Sequence, residues 1–218
     1  AIYTGQGDRS PAAHLAERDH GLQRLMEIRE MLAANPERFA LALTADDAAR
    51  IKAAGKRVVY ISMENASPLV EDPSLLSFYH RAGLRLLSTV HFANNEFADS
   101  ATDPKGAEWK GLSPAGKDLV RQAVKLGIVI DQSHASDAVF DDLLAMMLGV
   151  RRAGVTEALA LLESEGILAK ARGAVKIVDR QRLKAHACEC YKLIDEKFSW
   201  LHAMKSYEHH LDVNYGWP

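Results

Sequence analysis

The sequence predicts an α/β fold in which a parallel sheet is followed by a small winged helix-turn-helix module. Three observations predict it. Apolar runs alternate with helical segments in the order strand, helix, strand, helix, strand, which favours a parallel sheet with right-handed crossovers. Two later helical segments meet at Gly149, as the helices of a helix-turn-helix do. Two short apolar segments flank Arg172-Gly173 and predict a hairpin-like wing.

The helices of the first part begin at capping residues, and its strands are continuous apolar runs. Residues 92–112 form a long polar segment, and loops of that length in a compact domain are often functional. The first helix has a predicted buried face of Leu15, Leu22, Leu25, Met26, Leu32 and the stem of Arg29. The predicted elements are a helix from Ser10-Pro11 to Asn35-Pro36, a helix from Thr44 to Gly55, a strand at 58–63, a helix at 74–81, a strand at 84–90, a helix from Ser113-Pro114 to Gly127 and a strand at 128–130.

The second part shares its first helix, 137–148, with the end of the sheet region. A second helix is predicted at 151–165, a wing at 167–178 and a last helix from about 181 to 206. The residues expected to pack the first two helices are Leu144, Met147 and Leu148 on the first, and Val155, Leu159 and Leu162 on the second. The predicted domains are therefore 1–140 and 141–206, with a tail at 207–218.

The bulk composition limits the partners that the chain can have. The net charge of −2 creates no global attraction to nucleic acid, so any DNA binding must come from a local basic patch. No apolar run approaches the roughly 20 residues that a membrane span requires. Cys188 and Cys190 are two apart, which places them on opposite sides of a helix and argues against a mutual disulfide. A reducing compartment fits this pattern, and we expect the chain in the cytoplasm.

Three metal-type residues follow predicted strands: Glu64, His91 and His134. In (β/α) barrels the carboxyl ends of the strands carry the chemistry, and carboxylate and imidazole groups are suitable zinc ligands. The three groups are therefore expected to converge on one face. Taken singly, each has a simpler interpretation, because a Glu or His after a strand is more often a loop residue or a helix cap.

Four segments carry a closer resemblance. They are VVYISMEN at 58–65, LLSTVHFANNEFADSATDP at 86–104, GLSPAGKDLVRQAVKLG at 111–127 and IVIDQSHAS at 128–136. In this order they resemble the renal, or membrane, dipeptidase family over about residues 1–144. The resemblance implies a (β/α)₈ barrel with a two-zinc site that cleaves dipeptides. It assigns Glu64 as the carboxylate bridging both zinc ions, His134 as a zinc-binding histidine, and His91 as the catalytic histidine that contacts the substrate and polarises its scissile group.

Several of that family's site residues have no counterpart in this sequence. The His-x-Asp pair of the first barrel strand, a second zinc histidine, the substrate-binding arginine and a late aspartate are all missing. We therefore expect a partial barrel with about half of its strands. Two remaining ligands are too few for two zinc ions, which normally need three to four ligands each. Zinc should bind weakly or not at all, and dipeptide hydrolysis would require ligands from another chain.

The second part has polar residues where a recognition helix would meet DNA. Arg151, Arg152, Thr156 and Glu157 point outward at the amino-terminal end of the second helix, which enters the major groove in helix-turn-helix proteins. Arginine can bind guanine and glutamate can accept from cytosine. The wing adds Lys170, Arg172 and Lys176 as candidates for phosphate contacts. The alternative interpretation is an ordinary αα-hairpin with a solvated charged face.

The segments MLGVRRAGVTEAL at 147–159, ARGAVKIVDRQRL at 171–183 and ACECY at 187–191 favour the DNA-binding interpretation. They resemble the C-terminal winged-helix domain of cyclic-AMP-receptor-type transcription regulators over about residues 141–198. The resemblance makes Arg151, Arg152 and Glu157 base or phosphate contacts. Because these regulators bind paired half-sites, DNA binding without a homodimer should be weak. Their N-terminal β-roll sensor and dimerisation helix have no counterpart in this sequence.

Three hypotheses follow from the two resemblances. In the first, a DNA-binding transcription-regulator module is joined to an incomplete barrel fragment. In the second, the chain is a zinc dipeptidase that functions only when another chain supplies the missing ligands. In the third, the chain is a non-functional fusion or a designed chimera. The opening residues Ala1–Gly5 resemble the end of a strand, from which we expect a fragment, a processed chain or an engineered one.

Overall fold

The computed structural model describes residues 1–5, 8–171 and 174–187, without the side chain of Ala171. The predictions that concern Arg172, Cys188, Cys190, the tail at 207–218 and the last helix beyond residue 187 lie outside the described residues. The chain divides into two compact units. The first comprises residues 1–158 with 171–174, and the second comprises residues 159–170 with the chain from 175 onward.

The first unit is an α/β structure, as predicted. Its elements are β1 (Ile2–Tyr3), α1 (Pro11–Ala34), β2 (Phe39–Leu41), α2 (Ala45–Ala53), β3 (Arg57–Val59), β4 (Ile61–Glu64), a 3₁₀ turn (Ser67–Leu69), α3 (Leu75–Arg81), β5 (Leu84–Ser88), α4 (Pro114–Lys125), β6 (Val129–Asp131) and α5 (Asp137–Leu148). The main sheet is parallel with the order β1-β4-β5-β6, so its four strands lie side by side in the order in which they occur in the sequence. Helical crossovers between such strands produce the start of a barrel.

Capping residues determine where the helices of this unit begin. The Ser10 side chain accepts from Ala13 N, the Ser113 side chain accepts from Gly116 N, and Thr44 forms a capping box with Asp47. The hydroxyl or carboxylate in each case satisfies backbone N–H groups that have no partner inside the helix. All three starts agree with the sequence prediction.

The predicted strand at 58–63 is two strands separated by Tyr60. β3 pairs with β2 in a small parallel sheet, whereas β4 pairs with β1 and β5 in the main sheet. Tyr60 is 39% exposed between them, and its hydroxyl donates to the Thr44 carbonyl at 3.0 Å. Because consecutive apolar residues look alike in one buried strand and in two, the composition of this run did not reveal the break.

The buried face of α1 also differs from the prediction. Leu25 is buried as predicted, whereas Leu15 and Met26 are 41% and 61% exposed, and His14 and Gly21 are buried in addition. A Cβ atom at Gly21 would lie 2.9 Å from the Tyr79 hydroxyl oxygen. The helix therefore places its smallest residue against Tyr79, a contact that a count of large apolar residues overlooks.

The helix α5 lies where the two predicted parts overlap in sequence, and it packs within the first unit. Ser136 caps its start, and Gly149 ends it in the left-handed region at φ +66°. Val139 and Leu143 are buried in a cluster with Val120 of α4. Met147 and Leu148, which we expected to pack a helix-turn-helix, are 80% and 66% exposed. The buried face of α5 packs against the core beside the sheet, so the side chains of Met147 and Leu148 lie on the outer side of the helix.

α6 (Arg152–Ser164) follows α5 and extends from the first unit into the second. The second unit also contains α7 (Arg180–His186) and most of β7 (Leu168–Ala171) and β8 (Ala174–Ile177). β7 and β8 form the two-stranded sheet predicted as the wing. Asp179 caps α7, and Arg182 and His186 lie 3.5 Å and 2.9 Å from the Glu165 carboxylate. Among the described residues, no helix combines the length and apolar character needed to cross a membrane.

Candidate metal centre

The three metal-type residues stand at the same edge of the main sheet. Glu64 is the last residue of β4, His91 follows β5 by three residues, and His134 follows β6 by three residues. Since the carboxyl ends of neighbouring parallel strands meet at one edge, the fold brings together side chains that are up to 70 residues apart in sequence.

The Glu64 carboxylate lies at the middle of this cluster. Its Oε1 is 3.0 Å from His134 Nε2 and 3.4 Å from His91 Nε2. The three candidate ligand atoms all lie within 4.8 Å of one another. Two ligands bound to a tetrahedral zinc ion at about 2.0–2.1 Å are separated by about 3.3 Å. The two distances to Glu64 Oε1 therefore fit neighbouring ligands of one zinc ion.

Burial affects the protonation of His91, a residue that is 4% exposed. Burial first, and the neighbouring His134 second, lower the pKa of His91 below that of an ordinary histidine, although Glu64 acts in the opposite direction. The imidazole is therefore neutral at neutral pH. A neutral imidazole has a nitrogen lone pair that can bind a metal or accept a hydrogen bond.

Two aromatic residues that the sequence did not single out surround the cluster. The Tyr3 ring lies 5.1 Å from the His91 ring, and the Phe92 ring lies 3.6 Å from it. Phe92 also lies 5.3 Å from the His134 ring and is 57% exposed. Phe92 directly follows His91 in sequence, and Tyr3 pairs in register with Glu64, so strand register was the signal that would have found Tyr3.

The long segment 92–112 holds the backbone of His134. His134 has φ +69°, a left-handed conformation that costs energy for a residue with a side chain. Its carbonyl accepts from Ala101 N at 2.8 Å and from Ser100 Oγ at 3.3 Å. These contacts fix the residue in the orientation that directs its ring toward Glu64.

Buried polar side chains keep this segment ordered. Asp99 is fully buried, and its carboxylate accepts from the backbone N–H groups of Glu108, Trp109 and Gly111 at 2.8–2.9 Å. Asn95 is also buried, and its amide donates to the Thr89 carbonyl at 2.8 Å. The segment supplies Phe92 beside the cluster and holds the backbone of His134, and its functional role stays a prediction.

The residues predicted to bind DNA lie in different environments. Arg151 and Glu157 are exposed on and beside the first turns of α6. Arg152 instead donates to the Lys110 carbonyl and lies 3.7 Å from Asp142, and Thr156 donates to Asp141 at 2.8 Å.

The other three predicted DNA contacts are those of the predicted wing. In the second unit, Lys170 lies 3.6 Å from Glu163, and Lys176 is exposed on β8. Arg172 lies outside the described residues. Of the seven predicted contacts, Arg152, Thr156 and Lys170 therefore have partners within the chain.

Comparison with known protein families agrees with the sheet and the site. Residues 1–148 match the family model described as membrane dipeptidase, peptidase family M19. The chain belongs to that family. The matched residues include the whole main sheet and all three members of the centre.

The individual relatives are named as dipeptidases or as a metallo peptidase. Dipeptidase tcpJ of Claviceps purpurea is 33% identical over 144 residues, which are 66% of this chain and 34% of that protein. The probable dipeptidase PvdM of Pseudomonas aeruginosa superposes with a TM-score of 0.58 at 29% identity, over 62% of this chain and 35% of that structure. A metallo peptidase from Rhodobacter sphaeroides, liganded with a phosphinate mimic of the dipeptide L-Ala-D-Ala, superposes with a TM-score of 0.54 at 27% identity, over 58% of this chain and 37% of that structure.

The chain matches only part of the length of these dipeptidases. The chain spans about a third of each of these relatives. The predicted partial barrel agrees with that share. Residues 141–186 match a second model, described as a Crp-like helix-turn-helix domain, which overlaps the dipeptidase match at 141–148. Both resemblances found in the sequence are thereby confirmed, and α5 is the element that they share.

Proposed function

We propose that the centre binds one divalent metal ion, zinc, with Glu64 and His134 as ligands. The observation that carries the proposal is the spacing of 3.0 Å and 3.4 Å around Glu64 Oε1, which matches neighbouring ligands of one ion. Among the described residues, Glu64, His91 and His134 are the one group that meets in this way. A two-zinc site would require further ligands.

His91 has two candidate roles beside this ion. It can serve as a third ligand, or it can contact the substrate and polarise its scissile carbonyl, as the family resemblance implies. A bound zinc ion would supply Lewis-acid chemistry. The dipeptide mimic held by the Rhodobacter sphaeroides relative supports a dipeptide as the substrate class. We propose that hydrolysis by this chain occurs only when another chain supplies the missing ligands.

Zinc content tests the metal proposal. We expect elemental analysis of the purified chain to find well below two zinc ions per chain, and zinc titration to saturate near one, because three donors can hold one ion. His91→Ala separates the two roles of that residue. If His91 contacts the substrate, His91→Ala should leave the zinc affinity unchanged. If His91 is a third zinc ligand, the same replacement should lower the zinc affinity. Two tightly held zinc ions per chain would contradict the proposal.

A second proposal concerns DNA. We propose that residues 141–206 form a DNA-binding module of the transcription-regulator type, with Arg151, Arg152 and Glu157 at the bases and Arg172 at a phosphate. The match of residues 141–186 to a Crp-like helix-turn-helix domain supports it. The exposed Arg151 and Glu157 at the start of α6 also support it. Arg152 must exchange its contacts with Lys110 and Asp142 for DNA, so part of its binding energy is lost.

DNA titration tests this second proposal. We expect Arg152→Ala to weaken binding to a selected duplex by about 1–3 kcal/mol, because a guanine contact is lost, while unselected duplexes change less. Arg172→Ala should weaken both kinds of duplex alike and reduce the salt slope by about one unit. Equal weakening of both duplexes by Arg152→Ala would reject its base contact. If the unchanged chain shows no salt-dependent affinity at low ionic strength, the plain αα-hairpin interpretation holds.

A further inference from the structure

A basic pocket of about 390 Å³ lies where α4, α5 and the start of α6 meet. Its lining includes Lys117 and Arg121 from α4, Asp142 from α5, Gly149 and Val150 from the turn after α5, and Arg152 from α6. All of these residues belong to the first unit. Among the residues that the structure describes, the pocket shares none with the metal centre, and neither proposed function uses Lys117 or Arg121.

The three cations of this pocket face one carboxylate among the described lining residues. The Asp142 side chain is 6% exposed, and its oxygens lie 3.8 Å from Lys117 Nζ and 3.7 Å from Arg152 Nε. Both distances exceed the range of a hydrogen bond. Asp142 Oδ2 instead accepts from Leu112 N at 2.8 Å. One buried carboxylate carries a single charge, so the pocket keeps an excess of positive charge.

Lys117 and Arg121 present their charges to the pocket from one face of α4. The two positions are about one helical turn apart, so their side chains are neighbours. The Lys117 side chain is 40% exposed and the Arg121 side chain is 62% exposed, so a ligand from outside can reach both. Arg121 Nη1 lies 2.5 Å from Asp118 Oδ1, and the Asp118 side chain is 69% exposed. Exposed ion pairs of this kind add little stability, so an anion with more charge can replace the contact.

We infer that this pocket binds a phosphate group, held by Lys117 and Arg121. A phosphate offers several oxygens around one centre, which suits a lysine ammonium beside an arginine guanidinium that can bind it bidentately. Arg152, which the DNA proposal directs to a base, adds positive charge from α6. The phosphate can belong to a DNA backbone or be free phosphate. In the first case, which rests on the proposed DNA binding, the dipeptidase part of the chain adds a phosphate contact to the module that follows it.

Titration with inorganic phosphate tests the site without DNA. The full chain is first freed of metal by a chelator, so that phosphate cannot bind a zinc ion at the metal centre. Calorimetry at constant ionic strength in chloride should then show saturable phosphate binding. Lys117→Gln and Arg121→Gln should each lower the phosphate affinity by about tenfold, because each removes a charge-assisted hydrogen bond. Lys125→Gln is the matched control, since it removes the same charge from α4 at a residue outside this pocket, and it should leave the affinity unchanged.

A DNA duplex of random sequence distinguishes the two sources of phosphate. If the DNA backbone is the source, Lys117→Gln should also weaken duplex binding and reduce the salt slope by about one unit, whereas Lys125→Gln should not. If Lys117→Gln lowers only the affinity for inorganic phosphate, the ligand is free phosphate. A chain that binds phosphate but no duplex gives the same answer and rejects the DNA proposal alone.

The inference is overturned if Lys117→Gln behaves like Lys125→Gln in both titrations, because the charge of the pocket would then have no role in binding. It is also overturned if the unchanged chain binds neither inorganic phosphate nor the duplex. Circular dichroism of each variant shows that it remains folded.

Discussion

Glu64→Gln is expected to lower the zinc affinity of the chain by more than about a hundredfold. Residues that only orient a metal ligand contribute about 10–100-fold to affinity, so loss of a ligand should exceed that range. The glutamine keeps the size of the side chain but removes the negative charge that lies 3.0 Å from His134 and 3.4 Å from His91. Calorimetric zinc titration of the two proteins measures the difference.

Glu71→Gln is the matched control for this variant. Glu71 also lies beside a histidine, at 3.3 Å from His14 Nδ1, but it belongs to no group of candidate metal ligands among the described residues. Its replacement should leave zinc affinity unchanged. Equal zinc affinity of Glu64→Gln and the unchanged chain would place the metal elsewhere and reject the proposed centre.

Gly116→Ala is expected to destabilise the first unit by about 3 kcal/mol or more. A Cβ atom at Gly116 would lie 1.9 Å from the Phe97 carbonyl oxygen, and real Cβ atoms are not found below 3.0 Å from such a neighbour. That oxygen also accepts from Ser113 N at 2.9 Å, so it cannot withdraw without losing the contact at the start of α4. Overpacking of this kind usually costs 1–3 kcal/mol, and a backbone atom yields less than a side chain does.

Gly154→Ala provides the control, because Gly154 is the third residue of α6 just as Gly116 is the third residue of α4. No atom lies within 4 Å of a Cβ atom built at Gly154. Alanine there should raise stability by up to about 1 kcal/mol, since glycine is a poor helix former. Urea unfolding followed by circular dichroism measures both variants. A Gly116→Ala protein as stable as the original would show that the Phe97 backbone can move.

Local patterns in the sequence determined much of the fold. Ser10, Thr44 and Ser113 predicted helix starts, because a side-chain oxygen that satisfies free N–H groups acts within three residues. The parallel order of the main sheet followed from alternating strands and helices. That order also predicted that Glu64, His91 and His134 would share one edge, since parallel strands align their carboxyl ends.

Contacts between distant residues were decided by the tertiary structure alone. Composition could not separate β3 from β4, because both belong to one largely apolar run and differ in the strands with which they pair. Asp99 and Asn95 looked like loop residues until burial required each to satisfy backbone groups. Met147 and Leu148 remained exposed because Val139 and Leu143 of the same helix already face the core.

The clearest division between sequence and structure concerns Arg152. Its place in the first turn of α6 follows from the local pattern, and that pattern predicted an outward, DNA-facing side chain. Its contact with the Lys110 carbonyl joins residues 42 apart in sequence, and Asp142 lies 3.7 Å from the same guanidinium. Helical periodicity indicates which side of a helix a residue occupies, whereas packing decides what lies next to that side. The sequence by itself therefore determined the elements, their order and the residues at the sheet edge, and only the tertiary structure decided which polar groups became each other's partners.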